Sequence, residues 1–172
     1  SVAAKADRPS AFLELARIRY DEALAKPAGP DKSLSAAQAN AVIDLLLAAR
    51  KQPPPMPAVY ELLADTWVRS SVTPKRDDVT ILAEGVQLFP GRLKLTYQTA
   101  ALCATAGVPE AAHSLVDHGI RIAPDANSRA RFEALKKSLP PEPPKTEPPA
   151  AAPAAAATPA ASAKPAGKTS KK

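Results

Sequence analysis

The sequence predicts an all-α fold, a short array of helix pairs closed by one further helix. Three observations carry the prediction. Apolar residues recur at the 3.6-residue spacing of a helix stripe, and no convincing strand-like alternation is present. Pro and Gly cut those stripes into segments of three or four turns. One spaced set, Leu82, Gly85 and Pro90, returns 34 residues later as Val116, Gly119 and Pro124.

The first helix is expected over residues 10–25, with Phe12, Leu15, Ile18 and Arg19 sharing a face and Lys26-Pro27 ending it. Ala28-Gly29-Pro30-Asp31 is a loop. Ser33 or Ser35 caps the second helix, whose stripe is Val42, Leu45, Leu46 and Ala49. Gln52 and the prolines at 53–55 stop it. Pro57 suits the first turn of a third helix, followed by Tyr60, Leu63, Ala64 and Trp67. Thr73-Pro74 opens a fourth, with Asp77 and Asp78 where carboxylates meet the positive end of the dipole. The cluster Val79-Thr80-Ile81-Leu82 is largely β-branched, but its setting between Pro74 and Pro90 reads as helix. Pro90-Gly91 ends that helix. Residues 92–106 form a fifth, closed by Gly107. Pro109 starts a sixth that runs to Ile122, before Ala123-Pro124. Asn127 or Ser128 caps a seventh, ending near Ser138.

Three domains of composition follow: a lead at 1–9, the helical region at 10–139 and a tail at 140–172. The tail holds nine Pro, eleven Ala and no aromatic residue, and reads as a disordered, partly polyproline-like spacer. It carries half of the chain's formal charge of +6, through five Lys against two Glu. The helical part is therefore only mildly basic. The single Cys, Cys103, excludes a disulfide framework. No run of about 18 apolar residues exists to span a membrane, and no stretch reads as a signal peptide. The compartment, cytoplasmic or periplasmic, stays open. The chain begins with Ser and reads as the carboxy-terminal part of a larger bacterial protein.

The 34-residue spacing resembles the tetratricopeptide repeat, whose pattern is W-x2-L-G-x2-Y, then A-x3-F, then P. The W, L, G and Y slots hold Phe12, Leu15, Ala16 and Arg19 in the first unit. They hold Tyr60, Leu63, Ala64 and Trp67 in the second, and Thr96, Thr99, Ala100 and Cys103 in the third. The A and F slots hold Ala41 and Leu45, then Asp78 and Leu82, then Ala112 and Val116. Leu45, Ala48 and Pro53 repeat the closing spacing once more. Arg19, Thr99 and Asp78 depart from the pattern, and the first unit has an inserted loop between its helices. The resemblance implies a right-handed α-solenoid of about three helix pairs plus a capping helix. It also implies a concave face lined by the first helix of each pair. Leu13, Arg17 and Tyr20 would lie there, then Glu61, Asp65 and Arg69, then Lys94 and Tyr97. Seven of these, Arg17, Tyr20, Glu61, Asp65, Arg69, Lys94 and Tyr97, are the expected partner-binding residues. Chaperone-tail-binding members use a clamp of Lys, Asn, Asn, Lys and Arg. The corresponding residues here are Leu13, Arg17, Leu62, Lys94 and Gln98, so only Lys94 matches and that activity is not expected.

No catalytic constellation is visible. His113 and His118 are five residues apart and do not converge on one helix face. Glu110, His113 and Asp117 share a face but read as a surface charge group rather than a metal site. Cys103 sits among Ala100, Leu102 and Ala104, the setting of a buried small side chain. Gly167-Lys168-Thr169 lacks the first Gly of a phosphate loop, because Ser162 stands at that position. Arg121, Arg129, Arg131, Lys136 and Lys137 gather near the end of the array, and the tail adds further Lys. Stacking aromatics are scarce there, so polyanion binding is the weaker expectation. The function expected is a noncatalytic interaction or scaffolding module without cofactor or metal, which binds a protein or peptide. The rival expectation is a docking region for an enzyme whose catalytic domain lies upstream.

Overall fold

The structure, a computed structural model, describes residues 9–141. The tail expected from residue 140 lies, beyond Pro141, outside the described residues. Seven α-helices follow in order: α1 Pro9–Ala25, α2 Ala36–Arg50, α3 Pro57–Arg69, α4 Arg76–Leu88, α5 Leu93–Thr105, α6 Pro109–Ile122 and α7 Ala126–Ser138. A 3-10 turn, Pro30–Lys32, lies between α1 and α2. The fold is all-α, and the one extended pairing among the described residues is an isolated bridge between Leu34 and Ser70.

Helix ends follow local chemistry. Ser35 caps α2 through a reciprocal pair: its Oγ accepts from Gln38 N at 3.3 Å, and its N–H donates to Gln38 Oε1 at 3.1 Å. The Gln38 amide also reaches back to the loop, donating to Lys26 O at 2.8 Å. Helix α4 starts two residues later than Thr73-Pro74 suggested, because Asp78 Oδ2 accepts the Lys75 N–H at 2.8 Å and fixes Lys75 as the N-cap. Asp125, not Asn127 or Ser128, caps α7, and its carboxylate accepts from Ser128 N at 2.7 Å. Gly107 takes φ +72° after α5. Its N–H meets Ala104 O and that of Val108 meets Cys103 O, the two bonds of a Schellman ending.

Helix α3 adjoins both α1 and α5, and α2 and α4 each pack against the helix that follows. The hairpins α1/α2 and α5/α6 are extensively packed, whereas α3 meets α4 over a shorter stretch. Helix α7 covers α6. One spacing is buried in all three odd helices. It is Leu13, Ala16 and Tyr20 in α1, Tyr60, Leu63 and Trp67 in α3, and Thr96, Thr99 and Cys103 in α5. This corrects the expected face of α1 by one residue. Leu15 and Ile18, read as part of its buried stripe, are 43% and 54% exposed. Phe12 is half-buried and Arg19 is exposed. Leu13, expected on an accessible face, is buried instead.

The inserted α1–α2 loop has a structural role. Leu34 is fully buried, and its backbone is held at the end of α3: Leu34 N donates to Arg69 O at 2.8 Å, and Ser71 N donates to Leu34 O at 2.9 Å. The loop thus ties the first hairpin to the third helix.

Candidate partner-binding surface

Side chains from α3 and α5 join across one surface. At its α1 end the Arg69 charge of α3 acts on the Tyr20 phenol of α1. One turn earlier on α3, Asp65 accepts from Lys94 Nζ and from Gln98 Nε2 of α5, each at 2.6 Å. A further turn back, Glu61 pairs with Arg92 at 3.6 Å. The spacing explains the ladder. Glu61, Asp65 and Arg69 are four apart on α3 and fall on one helix face, as do Lys94 and Gln98 on α5. Most of these ion pairs are well exposed on at least one side, so each contributes only about 0–1 kcal/mol and chiefly fixes register.

A groove of about 370 Å³ adjoins this ladder between α3, α5 and α7. Val68, Leu93, Tyr97, Ala101 and Phe132 supply its apolar lining, and Lys94, Gln98, Ser128 and Arg131 its polar rim. The Tyr97 and Phe132 rings stand edge to face, with centroids 5.5 Å apart. The Arg131 guanidinium lies over the Tyr97 ring at 5.4 Å from its centroid.

Of the residues expected at the site, Lys94 and Tyr97 line the groove, and Glu61, Asp65 and Arg69 form the α3 side of the ladder. Two differ from expectation. Tyr20 is buried, 9% exposed, because its ring belongs to the repeated core spacing. Burial pushes its phenol pKa up, and the Arg69 charge opposes that rise. Arg17 stays on its own helix, paired with Glu14 at 2.7 Å. Sequence reasoning missed Val68, which is 51% exposed, and the place of Phe132 and Arg131 in the groove. A short apolar signal existed in Val68 and Val72, both exposed at the end of α3.

A second polar cluster joins α2, α3 and α4. The Arg50 guanidinium pairs with Glu84, and Tyr60 Oη donates to the other carboxylate oxygen of Glu84 at 3.2 Å. The Arg50 hydrogen bond holds the Glu84 carboxyl below its usual range. Above the ordinary carboxylate pKa, this interaction favours the folded state, and the benefit is lost as pH falls through the lowered value.

Cys103 is buried, and desolvation pushes its thiol up to about 11. The thiol is therefore neutral at pH 7–8 and a poor nucleophile. A thiol-reactive dye is expected to label the native protein far more slowly than the unfolded chain. The same shift makes burial of the neutral thiol favourable below pH 9. That contribution is lost between pH 9 and 11, as the unfolded chain ionises first. Cys103→Ala should flatten the decline in stability between pH 9 and 10, measured by denaturant melts. An unchanged pH profile would contradict the thiol's burial.

Glu110, His113 and Asp117 do not converge. His113 Nε2 lies 2.8 Å from Pro140 O, while Asp117 accepts from Lys136 at 2.6 Å. Among the described residues, no three His, Cys, Asp or Glu side chains are grouped to hold a metal ion. No helix among them is long and apolar enough to cross a membrane.

No protein-family model, curated protein or solved structure matches the chain.

Proposed function

We propose that the chain is a noncatalytic interaction module. In this reading its helices form a tetratricopeptide-like array, and a protein or peptide partner binds along α1, α3 and α5, with α7 extending the surface. Two features support the array. Helix α3 adjoins both α1 and α5. The closing spacing recurs in burial as well as in sequence, since Leu82 and Val116 are both fully buried, and Gly85 and Gly119 each abut an aromatic ring. The limited contact between α3 and α4 is the main departure from a regular stack, and it falls in the middle unit, where Pro53 and Pro90 are 37 residues apart against 34 from Pro90 to Pro124.

The observation that carries the binding reading is continuity. The ladder of Glu61, Asp65 and Arg69, bridged at Asp65 to Lys94 and Gln98, leads into the groove at Tyr97. Tyr and Arg are favoured anchor types at interfaces, and both stand at this groove.

The experiment is capture from a lysate on the immobilised full chain, beside two double variants. Arg69→Glu with Tyr97→Ala should lose the partner. Gln87→Ala with Arg121→Glu, on α4 and α6, should keep it. Retention by the first pair and loss by the second would contradict the reading.

A further inference from the structure

We propose that the groove between α3, α5 and α7 takes an acidic peptide segment that carries an apolar anchor side chain. The inference rests on the interaction-module reading and names the partner's chemistry. The groove's lining is apolar, with Leu93, Tyr97, Ala101 and Val68 around the Phe132 ring. An apolar side chain seated there removes this surface, the half-buried Tyr97 ring included, from water.

The rim sets the sign of the partner. Both ionised residues that line the groove, Lys94 and Arg131, are cations, and no carboxylate lines it. Asp65 is the nearest acid on the ladder, and it is already engaged by Lys94 and Gln98. Arg131 is exposed, and among the described residues no carboxylate lies within ion-pairing distance of it. Its guanidinium rests on the Tyr97 face, which orients its donors without consuming them. A carboxylate on an incoming peptide would meet that free donor edge while the neighbouring apolar side chain enters the groove. A basic segment would meet the unpaired Arg131 charge at the same place, whereas Lys94 is already paired with Asp65.

The test is fluorescence anisotropy of the full chain with three labelled decapeptides. One has two leucines flanked by glutamates. The second has lysine for each glutamate, and the third has serine for each leucine. The acidic leucine peptide should bind about tenfold or more tighter than either counterpart, and its binding should weaken with added salt. Arg131→Glu should cost about tenfold or more in affinity for it. Tyr97→Ala should do the same, with circular dichroism verifying the fold of each variant. Arg131→Lys should retain part of the affinity, because the charge remains while the stacked donor fork is lost.

Equal or tighter binding of the lysine peptide, lost in Tyr97→Ala, would overturn the acidic class and leave the groove as a binding site. Binding of the acidic peptide that survives Tyr97→Ala would mark bare charge attraction and overturn the proposal. No binding by any probe would overturn it too, while the capture experiment decides the module reading by itself.

Discussion

Replacing Trp67 by Ala is expected to lower the unfolding free energy by about 3–5 kcal/mol, the range for an aromatic truncation in a packed core. The indole is 8% exposed and completes the repeated buried spacing with Tyr60 and Leu63 on α3. It lines a pocket together with Leu102 and Thr105 of α5, so the truncation widens a space between two helices. The denaturant midpoint should fall with the slope unchanged. A midpoint within about 0.5 kcal/mol of the parent would remove Trp67 from the core, because that range belongs to surface substitutions.

Gly119→Ala is the second large effect, and its sign is the point of interest. A Gly-to-Ala change inside a helix ordinarily stabilises by about 1 kcal/mol. Here an added Cβ would overlap the Phe132 ring, which is itself buried and stacked edge to face on Tyr97. The ring cannot retreat without disturbing the groove. Overpacking of this kind costs about 1–3 kcal/mol and outweighs the propensity gain. Gly85→Ala should behave alike, since its Cβ would overlap the Tyr60 ring. Gly91→Ala is the control, with no atom within 4 Å of an added Cβ. It should be near neutral, while both helical variants melt earlier. Stabilisation by either helical variant would show that the rings are not held where the packing places them.

The same glycines show how much of the fold was legible. Their 34-residue recurrence was visible in the sequence, and so were the helices it punctuates. Helix α6 runs from Pro109 to Ile122 as read, and the α3 stripe Tyr60, Leu63, Ala64 and Trp67 is buried throughout. Helix α1 was misread because it has two apolar stripes. Phe12, Leu15 and Ile18 are larger than Ala16 and Ala23, so size favoured the wrong face. The buried face sets Ala16 and Ala23 between and beside Leu13 and Tyr20, and its small residues hid it in the sequence. The capping of α7 by Asp125 was missed by two residues, because Asp, Asn and Ser stand close together there and each is a competent cap.

The surface was legible one helix at a time. Glu61, Asp65 and Arg69 declare a common face through their four-residue spacing, and Lys94 and Tyr97 were placed beside them by the repeat. The groove was not legible. Val68 and Phe132 line it from either side of α5, and those residues are distant in the chain. Arg131 read as one more member of a basic cluster, although the structure seats it on Tyr97. The docking of the α1–α2 loop at the end of α3 is carried by backbone hydrogen bonds of Leu34 and Ser71, which leave no side-chain signature in a sequence.

The most direct test of the account is amide hydrogen exchange of the full chain with and without its captured partner. The account predicts added protection along residues 61–69 of α3, 93–101 of α5 and 128–132 of α7. Protection gathered instead on residues 83–90 of α4 and 111–121 of α6, with the first three segments unchanged, would contradict it.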